Sequence, residues 1–424
     1  MDVYKKRIAD IVLRRKLNLM GAVLIQGPKW CGKTTTAEQA AQSMLYMDNP
    51  TTKDSNMLMA RINPSKLLQG EAPRLIDEWQ LAPSLWDGVR FEVDHRGGAG
   101  HFILTGSAVP SDKSEIYHSG TGRFAWITMR PMSLYESGES NGTISLEQLF
   151  HTPQKIAERN ELNIDDIAFL ICRGGWPQTV NMTKEYALDI AYEYCKALIE
   201  SDMDRVDGIH RDHARTRRLL RSYSRHQGSQ SSLATIKKDL INNEATLFDE
   251  STLSSYLSAL RKIFVVEDAP AWNPNLRSKT AIRSSDTRYF VDPSIAAASL
   301  ELGPNDLLSD LNTMGLLFET LCVRDLRVYA ELINGTLYHY RDHNGLECDA
   351  VIHLRGGSYG LIEIKLGGDK LIEEGASTLK TLATKIDTDK MKEPSFLMIL
   401  SATGPFAYRR EDGVYVVPIG CLKP

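Results

Sequence analysis

The run AVLIQGPKWCGKTTTAEQAAQSML, residues 22–45, decides how the first third of the chain is read. Ala22 to Gln26 is a short apolar strand. Gly27-Pro28-Lys29-Trp30-Cys31-Gly32-Lys33-Thr34 follows, and then a helix-forming stretch. This is GxxxxGK[ST] in strand, loop, helix order. Its glycines let backbone N–H groups turn inward around phosphates, and the helix adds its positive N-terminal end. Lys33 then reaches the β and γ phosphates of ATP, and the Thr34 hydroxyl holds Mg²⁺. Gly27, Pro28, Lys29, Trp30, Cys31, Gly32 and Thr35 complete the expected nucleotide-binding set. The strand and helix on either side argue against a chance Gly-rich turn.

Hydrolysis needs a carboxylate at the end of a neighbouring strand. PRLIDEWQ, residues 73–80, supplies two. Asp77 is expected to contact Mg²⁺ and Glu78 to polarise the attacking water; acidic residues opening a helix are the competing reading. HFILTGSA, residues 101–108, reads as a further buried strand ending in Thr105-Gly106-Ser107. Polar groups there lie at the crevice where α/β sheets bind ligands, so Thr105 or Ser107 could sense the γ phosphate, or simply make a turn. In SGTGRFAWITMRPMSLYE, residues 119–136, Arg123 precedes an apolar strand from Phe124 to Ile127. Taken in this order, the segments resemble an AAA+ ATPase. The resemblance implies that Arg123 reaches a neighbouring subunit's ATP site as an arginine finger, with Arg130 behind it, and hence a homo-oligomer. A surface arginine without a role is the alternative.

The remaining composition sets bounds. With 424 residues, 42% hydrophobic and 25% charged, the chain is long enough for two to four domains. The formal net charge of -4 gives no global basic field, so any nucleic-acid contact must come from local patches. The six cysteines are scattered without a CxxC pair, which suits a reducing compartment and neither a zinc cluster nor a disulfide framework. No apolar run reaches transmembrane length, and the basic, charge-interrupted N-terminus reads as an amphipathic helix. The expectation is a cytoplasmic protein with no membrane partner.

Residues 151–228 read as a helical lid or linker. CRGGWPQTV, residues 172–180, breaks the helical pattern. This turn resembles the lid of signal-transduction and archaeal-type ATPases, which would let Arg173 approach the phosphates; a plain turn is the stronger reading. RDHARTRRLLRSYSRH, residues 211–226, carries six arginines against one aspartate. Arg211, Arg215, Arg218 and Arg225 are spaced for one helical face that could track phosphates or pair with Asp202, Asp204 and Asp207. Residues 229–300 then give two helices, Leu233 to Leu240 and Asp249 to Lys262, followed by strands Ile263 to Val266 and Arg288 to Val291. That is a winged-helix rhythm. Ser254, Ser255, Ser258 and Arg261 would face outward, with Arg277, Lys279 and Arg283 on the wing. DNA contact and a purely protein-docking role are equally open.

The far end holds GLECDAVIHLRGGSYGLIEIKLG, residues 345–367. Two strands joined by a Gly-rich turn carry Asp349, Glu363 and Lys365 where apolar residues are expected. Glu363 and Lys365 are two apart, so they project together, and Asp349 on the adjacent strand can meet them. The apolar helix Met314 to Leu332 adds Glu319. Helix Glu, strand Asp, then Glu-x-Lys resembles the PD-(D/E)xK nuclease core, with Cys348 where the proline usually stands. That resemblance implies catalytic roles for Glu319, Asp349, Glu363 and Lys365, and Mg²⁺ held by Asp349 and Glu363. An ordinary structural Lys–Glu pair is the alternative.

Nearly the whole chain resembles a widespread group of predicted prokaryotic AAA+ ATPases with a nuclease-like C-terminal domain of unknown function. The expected fold class is α/β multidomain. It comprises an AAA+ P-loop NTPase core (1–150), a helical lid (151–228), a winged-helix domain (229–300) and a PD-(D/E)xK nuclease-like α/β domain (301–424). The expected activity is ATP hydrolysis coupled to action on DNA. An ATP-driven switch or assembly module that binds a protein partner, with an inactive C-terminal domain, is the alternative.

Overall fold

The computed structural model describes residues 4–107, 119–152, 156–245, 247–273, 285–389 and 391–424. The chain forms two compact units. One gathers Met1–Pro131, Glu200–Arg211 and Ser258–Val265; the other gathers Met132–Ile199, Asp212–Leu257 and Val266–Pro424.

The first unit is built on a parallel sheet of strands β1 (Ala22–Gln26), β2 (Ser43–Tyr46), β3 (Arg74–Asp77), β4 (Phe102–Gly106) and β5 (Phe124–Thr128). Their order is β2-β3-β4-β1-β5. β1 and β4 are largely apolar runs, as strands buried on both faces must be, and the shorter β3 buries Leu75 and Ile76. The helix Ser84–Arg96 turns Leu85, Trp86, Val89 and Val93 into this core, one face at helical spacing. The Trp86 ring stacks on Phe124 with centroids 3.8 Å apart. The strand order turns at β1: the chain builds β2, β3 and β4 on one side and returns to place β5 on the other. That switch point sits where α/β sheets bind ligands, beyond the carboxyl ends of the strands.

The second unit holds a seven-stranded mixed sheet and a small parallel pair. The pair is β6 (Ile144–Ser145) with β14 (Leu422–Lys423). The large sheet has the order β7-β12-β13-β11-β10-β9-β8. Its strands are β7 (Ala157–Arg159), β8 (Gly335–Arg341), β9 (Glu347–Leu354), β10 (Tyr359–Lys365), β11 (Phe396–Ser401), β12 (Phe406–Arg409) and β13 (Tyr415–Pro418). β8, β9 and β10 form an antiparallel meander; β10 and β11 are parallel, joined through the helix Asp369–Lys385. That helix lays Ile372, Ala376, Leu379 and Leu382 against Val351, Leu361, Ile399 and Val416 of the sheet.

A buried ion network orders the turn at Gly174–Trp176. Arg324, in the helix Leu311–Leu332, pairs with Asp292 at 2.9 Å and with Asp325 at 2.7 Å. Asp292 also accepts the Gly175 N–H at 2.9 Å and caps the helix Pro293–Leu300. A Cβ on Gly175 would lie 2.1 Å from the Met132 carbonyl oxygen, so only glycine fits. Arg173 is buried and bonded to the Glu139 carboxylate, which makes this a structural turn.

The arginine run departs from the expected stripe. The helix is His213–Arg225, so Arg211 lies before it. Arg211 is buried and forks onto both Asp207 oxygens at 2.8 and 2.9 Å. Arg225 pairs with Asp239 at 2.7 Å and Glu244 at 2.9 Å. Arg215 and Arg218 are exposed.

The two helices after it form as Leu233–Glu244 and Glu250–Lys262, capped by Ser232 and Asp249. Ser254, Ser258 and Arg261 are exposed and Ser255 half-buried. The expected strands from Ile263 and from Arg288 do not form. Phe264 takes a left-handed conformation (φ 60°), and the Phe264 and Val265 N–H groups bond back to Arg261 and Leu260 carbonyls. The backbone therefore ends the helix instead of extending. Among the described residues, isolated antiparallel bridges join Val266 with Phe290 and Ala269 with Thr287. Arg277, Lys279 and Arg283 lie outside the described residues.

Candidate active site

The phosphate loop leaves β1 at Gly27, whose φ of 155° only glycine adopts readily. A Cβ there would lie 2.0 Å from the Met129 carbonyl oxygen. The loop closes at Gly32 (φ 96°), which precedes the helix Lys33–Glu38. Trp30 is exposed and left-handed, and Cys31 is buried with its thiol directed at the Met129 carbonyl. Lys33 is buried and donates to the Pro28 carbonyl oxygen at 2.7 Å. Its ammonium thus already faces into the loop. Thr35 follows Thr34 on the first turn of the same helix.

The chemistry gathers at the carboxyl ends of three strands. The Thr34 hydroxyl donates to Asp77 Oδ1 at 2.8 Å, and Thr105 of β4 donates to the same oxygen. Burial pushes the Asp77 carboxyl up, against the hydrogen bonds from Thr105 and Thr34. Glu78 follows in a left-handed backbone (φ 53°). It accepts from Gln80 Nε2, and from Ser107 Oγ at 3.4 Å. Burial raises Glu78 as well, making it a readier proton acceptor. Thr34, Asp77, Glu78, Thr105 and Ser107 therefore meet around the cradle mouth. Arg123 does not join them. It lies at the amino end of β5, paired with Asp94 at 2.7 Å. Arg130 donates to the Thr128 carbonyl at 3.2 Å.

Sequence reading missed several partners. Buried Arg7 donates to the carbonyls of Cys31 at 2.7 Å and Arg130 at 2.9 Å, clamping the loop to the segment after β5. Gln80 holds Glu78; its place two residues on is the one local signal that could have found it. Lys29 is ion-paired to Asp202 at 2.5 Å.

The second cluster lies on β9 and β10. The register Ile362↔Ala350 and Leu361↔Val351 puts Glu363 across from Asp349 on one face of the sheet. Lys365 bridges them, 3.2 Å from Asp349 and 2.7 Å from Glu363. Asp349 also accepts the Ile364 N–H at 2.7 Å. Two opposed carboxylates repel, and the lysine offsets this. Burial, then the Asp349 charge, pushes Glu363 up to about 8. Burial opposes the charged form of Lys365, yet the two carboxylates outweigh it and raise the ammonium above its ordinary range. Glu363 Oε1 is buried with no hydrogen-bond partner. Glu319 approaches from its helix and is engaged by the Tyr289 hydroxyl, with Gly228 packed against its carboxylate. Burial, then the Asp349 charge, drives Glu319 well above the usual carboxylate range. Among the described residues, no three His, Cys, Asp or Glu side chains form a metal-holding group. No helix among them is long and apolar enough to cross a membrane.

Comparison with known proteins agrees with the first site. Residues 20–138 match the family model described as an AAA domain. Residues 164–306 and 314–422 match two domains of unknown function, DUF8612 and DUF4143. Uncharacterized proteins of Mycobacterium bovis and Mycobacterium tuberculosis are each 25% identical over 368 residues, 85% of this chain and 74% of theirs. A Walker-type ATPase of Pyrococcus abyssi is 13% identical and gives a TM-score of 0.43, over 70% of this chain and 96% of its own. The AAA-domain match falls on the segment that holds the phosphate loop, Asp77, Glu78 and Thr105, and in this segment the chain is similar to P-loop AAA-type ATPases.

Proposed function

We propose that the protein hydrolyses ATP to direct a phosphodiester-cleaving C-terminal site on DNA, with the four segments 1–150, 151–228, 229–300 and 301–424 as its working parts. In the ATP site, Thr34 and Asp77 offer hard oxygen donors that fit Mg²⁺, their side chains meeting at 2.8 Å. When bound there, the ion offsets charge on the β and γ phosphates. Lys33 positions those phosphates. Glu78 orients the attacking water and takes its proton, while Ser107 and Gln80 fix the Glu78 carboxylate. Arg123 is assigned to a neighbouring copy of the chain, in a homo-oligomer.

The observation that carries the nuclease reading is the orphaned Glu363 Oε1. A buried carboxylate oxygen without a partner is costly, and a cation relieves it. Asp349 and Glu363 are the oxygen donors that fit Mg²⁺, which would supply Lewis acidity toward a phosphate oxygen. Lys365 stabilises negative charge developing on the phosphate, and Glu319 borders the site. The protein-binding switch is the second reading. It is favoured by Lys365, which already pairs with both carboxylates, and by the ion pairs that occupy Arg211 and Arg225.

Asp349→Ala separates the two. With Mg²⁺ or Mn²⁺ and ATP, the wild-type protein is expected to cut linear, nicked, flapped or four-way DNA. The variant loses cleavage while keeping its ATP hydrolysis and its melting temperature. If the wild-type protein cuts none of these DNAs, the switch reading replaces the nuclease.

A further inference from the structure

The phosphate loop carries two lysines. Lys33 faces inward, while Lys29 is paired outward with Asp202 at 2.5 Å. The Asp202 side chain is largely buried, whereas that of Lys29 is partly exposed. The Pro28 carbonyl that accepts the Lys33 ammonium belongs to the peptide bond leading into Lys29. The Lys29 side chain therefore springs from the backbone of the same loop that the Lys33 ammonium faces. Asp202 closes an unusual segment: the helix Lys184–Ala197 widens into a π-wound turn, Leu198–Asp202, before Met203–Arg205 resumes normal winding. Turns of this kind are rare and are frequently found at functional sites. The chain passes from one compact unit to the other inside this turn, between Ile199 and Glu200.

We propose that Asp202 is a positioning residue of the ATP site. It holds Lys29 as a counter-ion that the terminal phosphate of ATP displaces, so that ATP, but not ADP, frees the π-wound turn. The driving force is charge. Asp202 offers one negative charge, whereas a γ phosphate offers close to two and more acceptor oxygens for the same ammonium. ADP lacks that group and leaves the pair intact. The inference rests on ATP occupying the cradle and adds a route by which the bound nucleotide is reported along the chain.

The test measures binding of a non-hydrolysable ATP analogue and of ADP, each with Mg²⁺, to full-length protein. Removing the competing carboxylate in Asp202→Asn is expected to tighten analogue binding about three- to fivefold, the span of a partly exposed ion pair, and to leave ADP unchanged. Asp202→Glu restores wild-type values. In a Lys29→Ala background, Asp202→Asn changes neither nucleotide. Amide exchange over residues 198–205 is faster with the analogue than with ADP in the wild type, and equal in Lys29→Ala. Wild-type affinities in Asp202→Asn, or equal exchange with both nucleotides in the wild type, overturn the proposal while leaving the ATP site standing. Failure of the wild-type protein to bind either nucleotide removes both.

Discussion

Glu78→Gln binds ATP as tightly as the wild type and hydrolyses it about 10²- to 10⁴-fold more slowly, the usual loss when a general base is removed. Glutamine keeps the size of the side chain and can still bond Gln80 and Ser107, so the cradle is undisturbed. It cannot take a proton from water. The raised Glu78 carboxyl suits that task, because burial makes it a stronger base than an exposed glutamate. Steady-state turnover and equilibrium binding, measured on the same preparation, check this. Unchanged turnover would move the base to another residue and leave Glu78 a structural support of the β3 end.

Arg123→Ala lowers turnover by roughly 10³- to 10⁵-fold without weakening nucleotide binding, as loss of an arginine finger does. The sheet decides whose site the finger serves. Arg123 precedes β5, beside the start of β1, whereas the phosphate loop leaves the other end of β1. Five strand residues at about 3.3 Å each separate the two by roughly 17 Å, beyond the reach of one side chain. A finger role for Arg123 would therefore need another copy of the chain, and in a single protomer Asp94 holds it. Mixing Arg123→Ala with Lys33→Ala tests this. Each is inactive alone, but a mixed assembly pairs an intact cradle with an intact finger and regains activity. A monomeric wild type with full turnover contradicts the assignment.

Where chemistry is local in the chain, the sequence is a good guide. The phosphate loop is contiguous, and its glycines are demanded by backbone geometry at Gly27 and Gly32. The alternation of β9 and β10 also reads directly, since period two forces Glu363 and Lys365 onto one face and the Gly-rich turn brings Asp349 opposite. Long-range pairing is what stays hidden. Asp202 lies 173 residues from Lys29, and Asp292 lies 32 from Arg324. No periodicity reports such partners. Arg211 pairs with Asp207, one of the three acids offered as partners for the run, but its burial ahead of the helix is not legible from the spacing. Ile263 to Val266 has the composition of a strand, yet the left-handed Phe264 lets the preceding helix close its last carbonyls, and that local hydrogen bonding prevails over β propensity. Glu319 is legible as a charge on an apolar helix, but Tyr289, whose hydroxyl donates to its carboxylate, is not.

The central claim is that residues 22–34 form a working ATP site, and equilibrium titration of Mg²⁺-ATP against wild-type protein and Lys33→Ala tests it most directly. Lys33 is the buried ammonium directed into the loop, and alanine leaves nothing there to meet the β and γ phosphates. Saturable binding to the wild type and none to the variant is expected over the same concentrations, with both proteins melting at the same temperature. Equal affinity in the two proteins would contradict it.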